Sequence, residues 1–312
     1  MKSYFKKDVI SEKMKQIKND RFLYILILPV IIWYIIFCYI PMGGLSLAFK
    51  NFRFDMGMWD SPFVGLVHFK EMFSDMEFLR AFKNTIIFSL GKLIINFPVP
   101  IILAILLNEI TSVRTKKIFQ TVLTFPHFIS WVVLSGILIS MFSSTGIVNN
   151  ILVGLGFETV SPLMSTKSFR PFIWLSNLWK EVGWDSIIYI AALAGIDPTY
   201  YEAAEMDGAS KFQRMIHVTW PGIRSTVCIM FILAIGSIMS NGASFDQIFN
   251  LYSAPVYSVA DTIDTYVYRA SFSIGQNFGY TTAIGFFKSI INVVLIVAAN
   301  KLVKSVGEEG LY

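Results

Sequence analysis

Long apolar runs alternate with shorter polar stretches along the chain. Runs of about twenty apolar residues have the length that an α-helix needs to cross the hydrocarbon core of a bilayer. Because that core offers the backbone no other hydrogen-bond partner, each run is predicted to be helical. We therefore expect an all-α membrane protein with a transmembrane domain over residues 22–312. Its six predicted transmembrane helices are residues 22–45, 84–107, 120–142, 171–195, 225–241 and 281–303.

Lysine and arginine divide unequally between the two sides that these spans define. The side with both termini carries 15 of the 26 basic residues, and the other side carries 7. Cytoplasmic loops of membrane proteins carry the excess of positive charge. Both termini and the 196–224 loop are therefore predicted to be cytoplasmic, with residues 1–21 forming a basic cytoplasmic tail.

The composition supports a lipid environment. Hydrophobic residues make up 54% of the chain and charged residues 15%, whereas a soluble domain carries roughly 25% charged residues. The net charge of +5 is not a signal for nucleic acid, because the basic residues segregate by membrane side instead of forming one basic face. The expected surroundings are a lipid membrane, with no nucleic-acid partner.

A polar, helix-prone stretch interrupts the apolar pattern between the fourth and fifth spans. Asp197 with the proline after it predicts a turn and a helix start, and Gly208 permits a bend. A second helix is expected from Ser210 to about Val218, ended by Pro221 before the fifth span. Physical reasoning alone leaves two interpretations open: a solvated loop with a kinked surface helix, or an element on which another protein docks.

The spacing of this stretch resembles the EAA loop of permeases in ATP-binding cassette (ABC) importers. The family pattern is Glu-Ala-Ala, three residues, Gly, nine residues, Ile, one residue and Leu-Pro. The chain matches every spacing, with Val218 in place of Ile and Trp220 in place of Leu. The resemblance implies a type I ABC importer permease fold, in which the EAA coupling loop, 196–224, forms a coupling helix seated in a groove of an ATPase subunit. The implied coupling residues are the polar anchors Glu202 and Asp207, the hinge Gly208, and the small packing residues Ala203, Ala204 and Ala209.

Further stretches extend the resemblance over essentially the whole chain. Residues 63–69 (FVGLVHF) are similar to the FVGLxNF segment before the second span of sugar permeases, and residues 265–270 and 279–283 resemble the stretch leading into their last span. Within the maltose-type carbohydrate-uptake group, the chain is most similar to the LplB-like permeases of polysaccharide-derived oligosaccharides. This implies a permease of a bacterial cell membrane that forms half of a translocation pathway. The implied partners are a second, different permease subunit, two ABC ATPase subunits and an extracellular or periplasmic solute-binding protein.

The fourth span carries charged and amide side chains on one helical face. Four of them are spaced at i, i+3, i+4 and i+7: Asn177, Lys180, Glu181 and Trp184. Ionisable groups inside a span by default indicate the lining of a pathway, and sugar recognition requires flat aromatic rings together with amides or charges. The alternative is a Lys–Glu group that snorkels to the headgroups beside tryptophans of the aromatic belt.

The resemblance favours a pathway lining over the structural alternative. Maltose-type permeases hold cargo-contacting residues on this span, at a distance from the EAA loop that corresponds to these four positions. The same comparison implies Asn241 at the outer end of the fifth span, and Ser237 shares its face one turn earlier. Lys180 would favour an acidic sugar, such as a uronate.

The residues do not form a pattern for catalysis, metal binding or ATP binding. The three histidines lie far apart without ligand spacing. Asp246, Asp261 and Asp264 lie in an outward loop and are expected to be solvated or to face a partner. The chain also lacks the Gly-x-x-x-x-Gly-Lys-[Ser/Thr] phosphate loop. We therefore expect a transport subunit that is not an enzyme, has no catalytic residues, metal or cofactor of its own, and relies on a partner to bind ATP.

Other functions are carried as alternatives. The same type of importer would serve a peptide, an amino acid or another small solute. A secondary transporter should show inverted repeats and broken midplane helices, which are not evident. A membrane enzyme would need a convergent catalytic set.

Overall fold

The computed structural model describes residues 20–241, 244–272 and 277–311. Apart from isolated β-bridges between residues 50 and 63, the regular structure of these residues is helical, so the predicted all-α class is confirmed. Residues 1–19 of the predicted cytoplasmic tail lie outside the described residues. In chain order the α-helices are α1 (Arg21–Tyr34), α2 (Gly57–Asp60), α3 (Val67–Ser74), α4 (Met76–Ile95), α5 (Pro98–Asn108), α6 (Val113–Thr124), α7 (Trp131–Met141), α8 (Ile147–Gly154), α9 (Phe169–Ala194), α10 (Pro198–Met206), α11 (Lys211–Arg214), α12 (Trp220–Gly236), α13 (Ile238–Asn241), α14 (Phe245–Leu251), α15 (Tyr257–Ala260), α16 (Ile263–Phe272) and α17 (Phe278–Ser305).

The chain divides into two compact units, and the first comprises the described residues up to His68 together with 278–283. In this unit α1 continues through a π-helical turn and a 3-10 segment to Phe49 as one apolar helical run. None of the α1 side chains is buried within the chain, as expected for a helix that faces lipid. After this run, the Lys50 ammonium donates to the Trp59 carbonyl oxygen at 2.6 Å.

The second unit comprises residues 69–277 and 284–311 within the described ranges, and it packs around the long helix α9. Two buried apolar clusters contact α9. One joins it to α4, α7 and α14 through Phe88, Trp131, Ile173, Ile248 and Leu251. The other joins it to α5 and α12 through Ile101, Ala104, Tyr189, Leu193 and Ile223.

Four of the six predicted spans coincide with helical runs that are long and apolar enough to cross a membrane. These runs are Arg21–Phe49, Met76–Asn108, Lys211–Gly236 and Phe278–Ser305. The predicted fourth span corresponds to α9, which carries too many charged residues to qualify by composition. The described residues therefore contain four apolar spans, or five if a bent helix pair counts as one.

The prediction that residues 120–142 form one transmembrane helix is wrong, because the helix breaks at Pro126. Helix α6 ends at Thr124, a 3-10 segment covers Phe125–Phe128, and α7 leaves at an angle of 95°. Proline lacks a backbone N–H and its ring clashes with the preceding turn, so it breaks the helix here instead of only kinking it. The Ser130 side chain caps α7 by accepting a hydrogen bond from the Val133 N–H at 3.3 Å.

The prediction that Pro221 ends a helix before the fifth span is also wrong. The helical run continues from Lys211 to Gly236, passing through a π-helical turn at Met215–Thr219. Pro221 lies in the first turn of α12, directly after that turn. Proline is tolerated in the first turn of a helix, where its missing N–H has no partner to lose.

Candidate functional site

Helix α10 of the EAA loop begins at a well-formed cap. The carboxylate of Asp197 accepts a hydrogen bond from the Thr199 backbone N–H at 2.9 Å, and Pro198 follows at the first helical position. This hydrogen bond holds the pKa of Asp197 below its ordinary value. The predicted helix start is thus present.

Helix α10 ends in a joint whose geometry explains the spacing between the Glu-Ala-Ala triplet and the glycine. Gly208 has φ +77°, a backbone conformation that residues with a Cβ rarely adopt. The Ala209 N–H donates to the Ala204 carbonyl oxygen at 2.9 Å, and the Gly208 N–H donates to that of Glu205 at 3.0 Å. These two bonds form a Schellman motif with Gly208 at the left-handed position. Ala204 and Gly208 therefore take part in the same motif that ends the helix.

A second helix starts immediately after this joint. The Ser210 side chain accepts from the Gln213 N–H at 3.3 Å, while the Gln213 side chain accepts from the Ser210 N–H at 2.8 Å, which is a capping box. The Arg214 guanidinium donates to the Glu205 carboxylate at 3.0 Å. The two helices are therefore held together as one angled segment, which we call the coupling segment (197–219).

The predicted coupling residues divide between the surface and the interior of this segment. Glu202, Ala203, Asp207 and Gly208 are exposed, whereas Ala204 and Ala209 are half-buried at the joint. Met206, which sequence reasoning did not single out, is 89% exposed beside them. The sequence signal that could have identified Met206 is its long apolar side chain between two acidic residues, Glu205 and Asp207, in a polar helix. Among the described residues nothing covers the Met206 side chain, so this face offers both charge and an apolar contact.

The predicted pathway residues on α9 contact the break in the third span. Lys180 is 5% exposed, and its ammonium donates to the His127 carbonyl oxygen at 2.7 Å and to the Glu181 carboxylate at 2.8 Å. The other Glu181 oxygen lies 2.5 Å from His127 Nδ1. The His127 ring stacks on Trp184 with 4.1 Å between centroids. The lysine therefore bonds a backbone carbonyl in the 3-10 break.

Gly183 brings the break and α9 together. A Cβ at Gly183 would lie 2.2 Å from the Leu123 carbonyl oxygen and 2.6 Å from the Thr124 nitrogen. Only glycine permits so close an approach, and any side chain would push α9 away from α6. The polar groups of α9 reach the broken backbone because of this contact.

Asn177, the first of the four α9 residues, bonds in a different direction. Its side-chain oxygen accepts from Asn96 Nδ2 at 2.8 Å, and the same nitrogen donates to the Trp174 carbonyl oxygen at 3.3 Å. Asn96 follows the last residue of α4, between α4 and α5. Asn177 thus joins α9 to the second predicted span.

A cavity of about 530 Å³ lies among α4, α5, α9 and α12. Ser237 is the predicted pathway residue that contributes to its lining. Asn241 ends α13, and its side chain lies outside the described residues. The polar lining consists of Ser89, Lys92, Asn96, Asp185, Tyr189 and Ser237.

Sequence reasoning missed five of these six polar lining residues, all except Ser237. Lys92, Asn96 and Asp185 line the cavity, and the first and last are ionisable groups inside predicted spans. That position alone is a recognised sign of function. Asn96 also has a buried side-chain oxygen without a hydrogen-bond partner among the described residues.

The acidic residues of the predicted outward loop differ from expectation. Asp261 is 1% exposed, and both of its oxygens accept from the Arg269 guanidinium, at 2.8 and 3.1 Å. Hydrogen bonding to Asp261 raises the pKa of Arg269 further above its ordinary value. Asp264 accepts from Lys288. The expectation that these carboxylates are solvated or partner-facing is therefore wrong for Asp261 and Asp264, because each has an intramolecular cation.

Comparison with known families gives a match over most of the chain. The model of the binding-protein-dependent transport system inner membrane component matches residues 82–308. The chain is 41% identical over 300 residues to the protein LplB of Bacillus subtilis (strain 168), with 96% of this chain and 93% of that protein covered. It is 40% identical over 311 residues to the polygalacturonan/rhamnogalacturonan transport system permease protein YteP of the same organism, covering 99% and 95%.

A solved structure has the same fold. The crystal structure of a bacterial alginate ABC transporter, in complex with an alginate pentasaccharide-bound periplasmic protein, contains a chain that superposes with a TM-score of 0.86. The sequence identity is 38%, and the alignment covers 95% of this chain and 99% of that one. The predicted type I ABC permease fold is thereby confirmed.

Proposed function

This chain belongs to the family of inner membrane components of binding-protein-dependent transport systems, and on that premise we propose that it imports an oligosaccharide derived from a polysaccharide. It acts as a permease subunit and forms half of the translocation pathway. The proposal draws on relatives named for polygalacturonan/rhamnogalacturonan and for alginate. These names favour a saccharide over a peptide, an amino acid or another small solute. Membership of the family likewise argues against a secondary transporter.

Transport is powered from outside this chain. The sequence has no phosphate loop, so ATP is bound and hydrolysed by two partner ATPase subunits, and this subunit is neither an enzyme nor the holder of a cofactor. Each ATPase needs one coupling segment, which calls for a second and different permease. Cargo arrives on an extracellular or periplasmic solute-binding protein, as in the complex of the alginate transporter.

The coupling segment transmits the ATPase movement. We infer that both chain termini and this segment lie on the cytoplasmic side, in keeping with the charge asymmetry. When ATP closes the ATPase dimer, the segment moves with it and the helix bundle changes from inward-facing to outward-facing. Two separate sites are then coupled through one two-state bundle.

The observation that carries this proposal is the Schellman joint at Gly208. Its two hydrogen bonds and the Glu205–Arg214 ion pair connect α10 to α11. A displacement of the coupling segment is passed on to α12, because α11, the π-helical turn and α12 form one continuous helical run. A solvated loop without a partner would not need its two helices to be connected in this way.

Replacing Gly208 with Val tests the proposal. Valine at φ +77° is strained by about 1–2 kcal/mol, which should open the joint and uncouple ATP hydrolysis from uptake. The complete importer in proteoliposomes should lose oligosaccharide-dependent ATP hydrolysis and uptake, while insertion of the subunit stays normal.

Gly136→Ala is the matched control for that experiment. Nothing lies within 4 Å of a Cβ at Gly136, and its φ is not positive, so this variant should keep wild-type uptake. Normal uptake by the Gly208→Val variant would contradict the docking role. The cargo class is tested with the wild-type assembly and binding protein loaded with each member of a panel of oligosaccharides. If none of them stimulates ATP hydrolysis, the cargo class is contradicted.

A further inference from the structure

The cavity among α4, α5, α9 and α12 contains two opposite charges that the coupling mechanism does not use. Lys92 comes from α4 and Asp185 from α9, and both line the cavity. Placing ionisable side chains within membrane helices is costly, and such residues mark substrate pathways or relays by default. The basic and the acidic group attract each other electrostatically across the cavity lining.

A third group in the cavity wall is a hydrogen-bond acceptor with unused capacity. The Asn96 side chain is 6% exposed, and its nitrogen is fixed by hydrogen bonds to Asn177 and to the Trp174 carbonyl. The Asn96 Oδ1 atom has no hydrogen-bond partner among the described residues. Buried polar atoms in native proteins are nearly always satisfied, so an orphaned oxygen at a cavity wall indicates a donor that arrives with a ligand.

Lys180, the cation that the sequence suggested for an acidic sugar, is already engaged. Its ammonium bonds the His127 carbonyl and Glu181 and lies 5.6 Å from the centre of the Trp131 ring. It is also absent from the cavity lining. The basic residue in that lining is Lys92. An anionic cargo in the cavity would therefore meet Lys92 of α4 and not Lys180 of α9.

The size and the remaining lining suit part of a saccharide chain. A volume of about 530 Å³ lies within the roughly 300–1,000 Å³ typical of small-ligand sites. Ser237 and Tyr189 add hydroxyl groups, while Phe97 and Leu233 supply apolar surface. This combination provides hydrogen-bonding groups for sugar hydroxyls and apolar contacts for the C–H faces.

We propose that this cavity binds a sugar unit that carries a carboxylate, with Lys92 pairing with that carboxylate and Asn96 Oδ1 accepting a sugar hydroxyl. The proposal rests on the proposed function and specifies its cargo as a uronate-containing oligosaccharide. Asp185 is the partner that the incoming carboxylate displaces from Lys92. Asp185 therefore weakens the binding of an acidic unit, whereas Lys92 strengthens it.

Equilibrium binding to the purified assembly of permeases and ATPases, without the binding protein, tests this assignment. The probes are a galacturonan trisaccharide and a neutral galactan trisaccharide of the same length. The wild-type assembly should bind the acidic probe more tightly. Lys92→Gln should weaken binding of the acidic probe by about tenfold, the loss expected for one charge-assisted hydrogen bond, and leave the neutral probe unchanged.

Three further variants keep the outcome interpretable. Lys92→Arg retains the charge and should retain the preference for the acidic probe, and Asp185→Asn should increase that preference. Lys83→Gln removes an exposed lysine of the same helix that does not line the cavity, and it should change nothing. Opposite effects at Lys92 and Asp185 are not expected from a loss of folding, because misfolding would weaken binding in both variants.

Failure of this inference can be told apart from failure of the proposed function. If loaded binding protein stimulates ATP hydrolysis but Lys92→Gln keeps the wild-type ratio of acidic to neutral affinity, the cavity assignment is overturned and the importer assignment stands. Absence of binding of the galacturonan probe to the wild-type assembly also overturns the cavity assignment. If no oligosaccharide stimulates ATP hydrolysis, the proposed function itself is overturned.

Discussion

Lys180 and Glu181 are adjacent charged residues in the middle of α9, and their contacts account for their presence in a membrane helix. The break at Pro126 leaves a backbone carbonyl at His127 that regular helix bonding does not satisfy. Lys180 donates to that carbonyl, and Glu181 bonds both Lys180 and the His127 ring. Each charge is thus compensated within the chain, and the group stabilises the broken helix.

Replacing Lys180 with Met distinguishes this stabilising role from cargo binding. The change leaves Glu181 and the His127 carbonyl without their cation, and breaking a buried pair costs about 3–5 kcal/mol. Thermal unfolding of the purified subunit should shift to a clearly lower temperature. Adding Glu181→Gln should restore part of the loss, because the uncompensated charge is then removed. An unchanged unfolding temperature with altered transport would instead assign Lys180 to the cargo.

At the scale of single elements, the start of α10 should respond to acid. The folded-state pKa of Asp197 is lowered by its hydrogen bond with Thr199, so its stabilising effect is present above the unfolded pKa of about 3.9. The effect is lost as pH falls through the folded value. Amide hydrogen exchange at residues 199–206 should therefore accelerate, beyond the intrinsic rate change, below about pH 4.

Asp197→Asn provides the control for the acid response. Asparagine caps helices about as well as aspartate, but it does not titrate. The variant should keep α10 protected at neutral pH and lose the additional acceleration in acid. An identical acid response in both proteins would exclude Asp197 as its source.

Helix α16 depends on the pair between Arg269 and Asp261. Arg269→Met should destabilise the protein by about 3–5 kcal/mol, because Asp261 would remain buried without its cation. Arg53→Met, which breaks the exposed pair with Asp55 at 2.9 Å, should cost at most about 1 kcal/mol. Chemical denaturation of the two variants gives the comparison, and equal losses would contradict the importance of burial.

The Arg269 contribution should be insensitive to pH in the ordinary range. Its folded-state pKa is raised, with hydrogen bonding to Asp261 as the main cause. The stabilisation is therefore fully present below the unfolded pKa, which is above about 12 for arginine. It is lost only as pH rises through the still higher folded value, so neutral and mildly alkaline conditions should give the same difference between wild type and Arg269→Met.

For the whole molecule, the predicted orientation can be tested with a matched pair of methionines. Met76 is 77% exposed and lies on the predicted outer side, whereas Met206 is 89% exposed and lies on the predicted cytoplasmic side. Both are replaced singly by Cys, after the free thiols Cys38 and Cys228 are changed to Ser. A membrane-impermeant maleimide should label Met76→Cys in intact spheroplasts, and Met206→Cys only after permeabilisation. The reverse labelling would contradict cytoplasmic termini.

Features that depend on residues close together in the sequence were predicted, and features that depend on residues far apart in the sequence were not. The joint at Gly208 was predicted as a bend because its hydrogen bonds connect residues at most five positions apart. The break at Pro126 was missed, because the sequence indicated one span over residues 120–142 and the break depends on Lys180 and Gly183, more than fifty positions later. Likewise, Lys92 falls within the predicted span 84–107, but the sequence does not show what its side chain faces.

The sequence by itself determined the helical class, the position of most spans and the location of the coupling segment. These properties follow from local hydrophobic length, backbone hydrogen bonding in lipid and short-range capping. Only the tertiary structure decided that α9 directs its lysine to a broken helix and that Lys92, Asn96 and Asp185 line one cavity. The physical reason is that helix packing sets the rotation of each helix, and residues some ninety positions apart face each other only once that rotation is set.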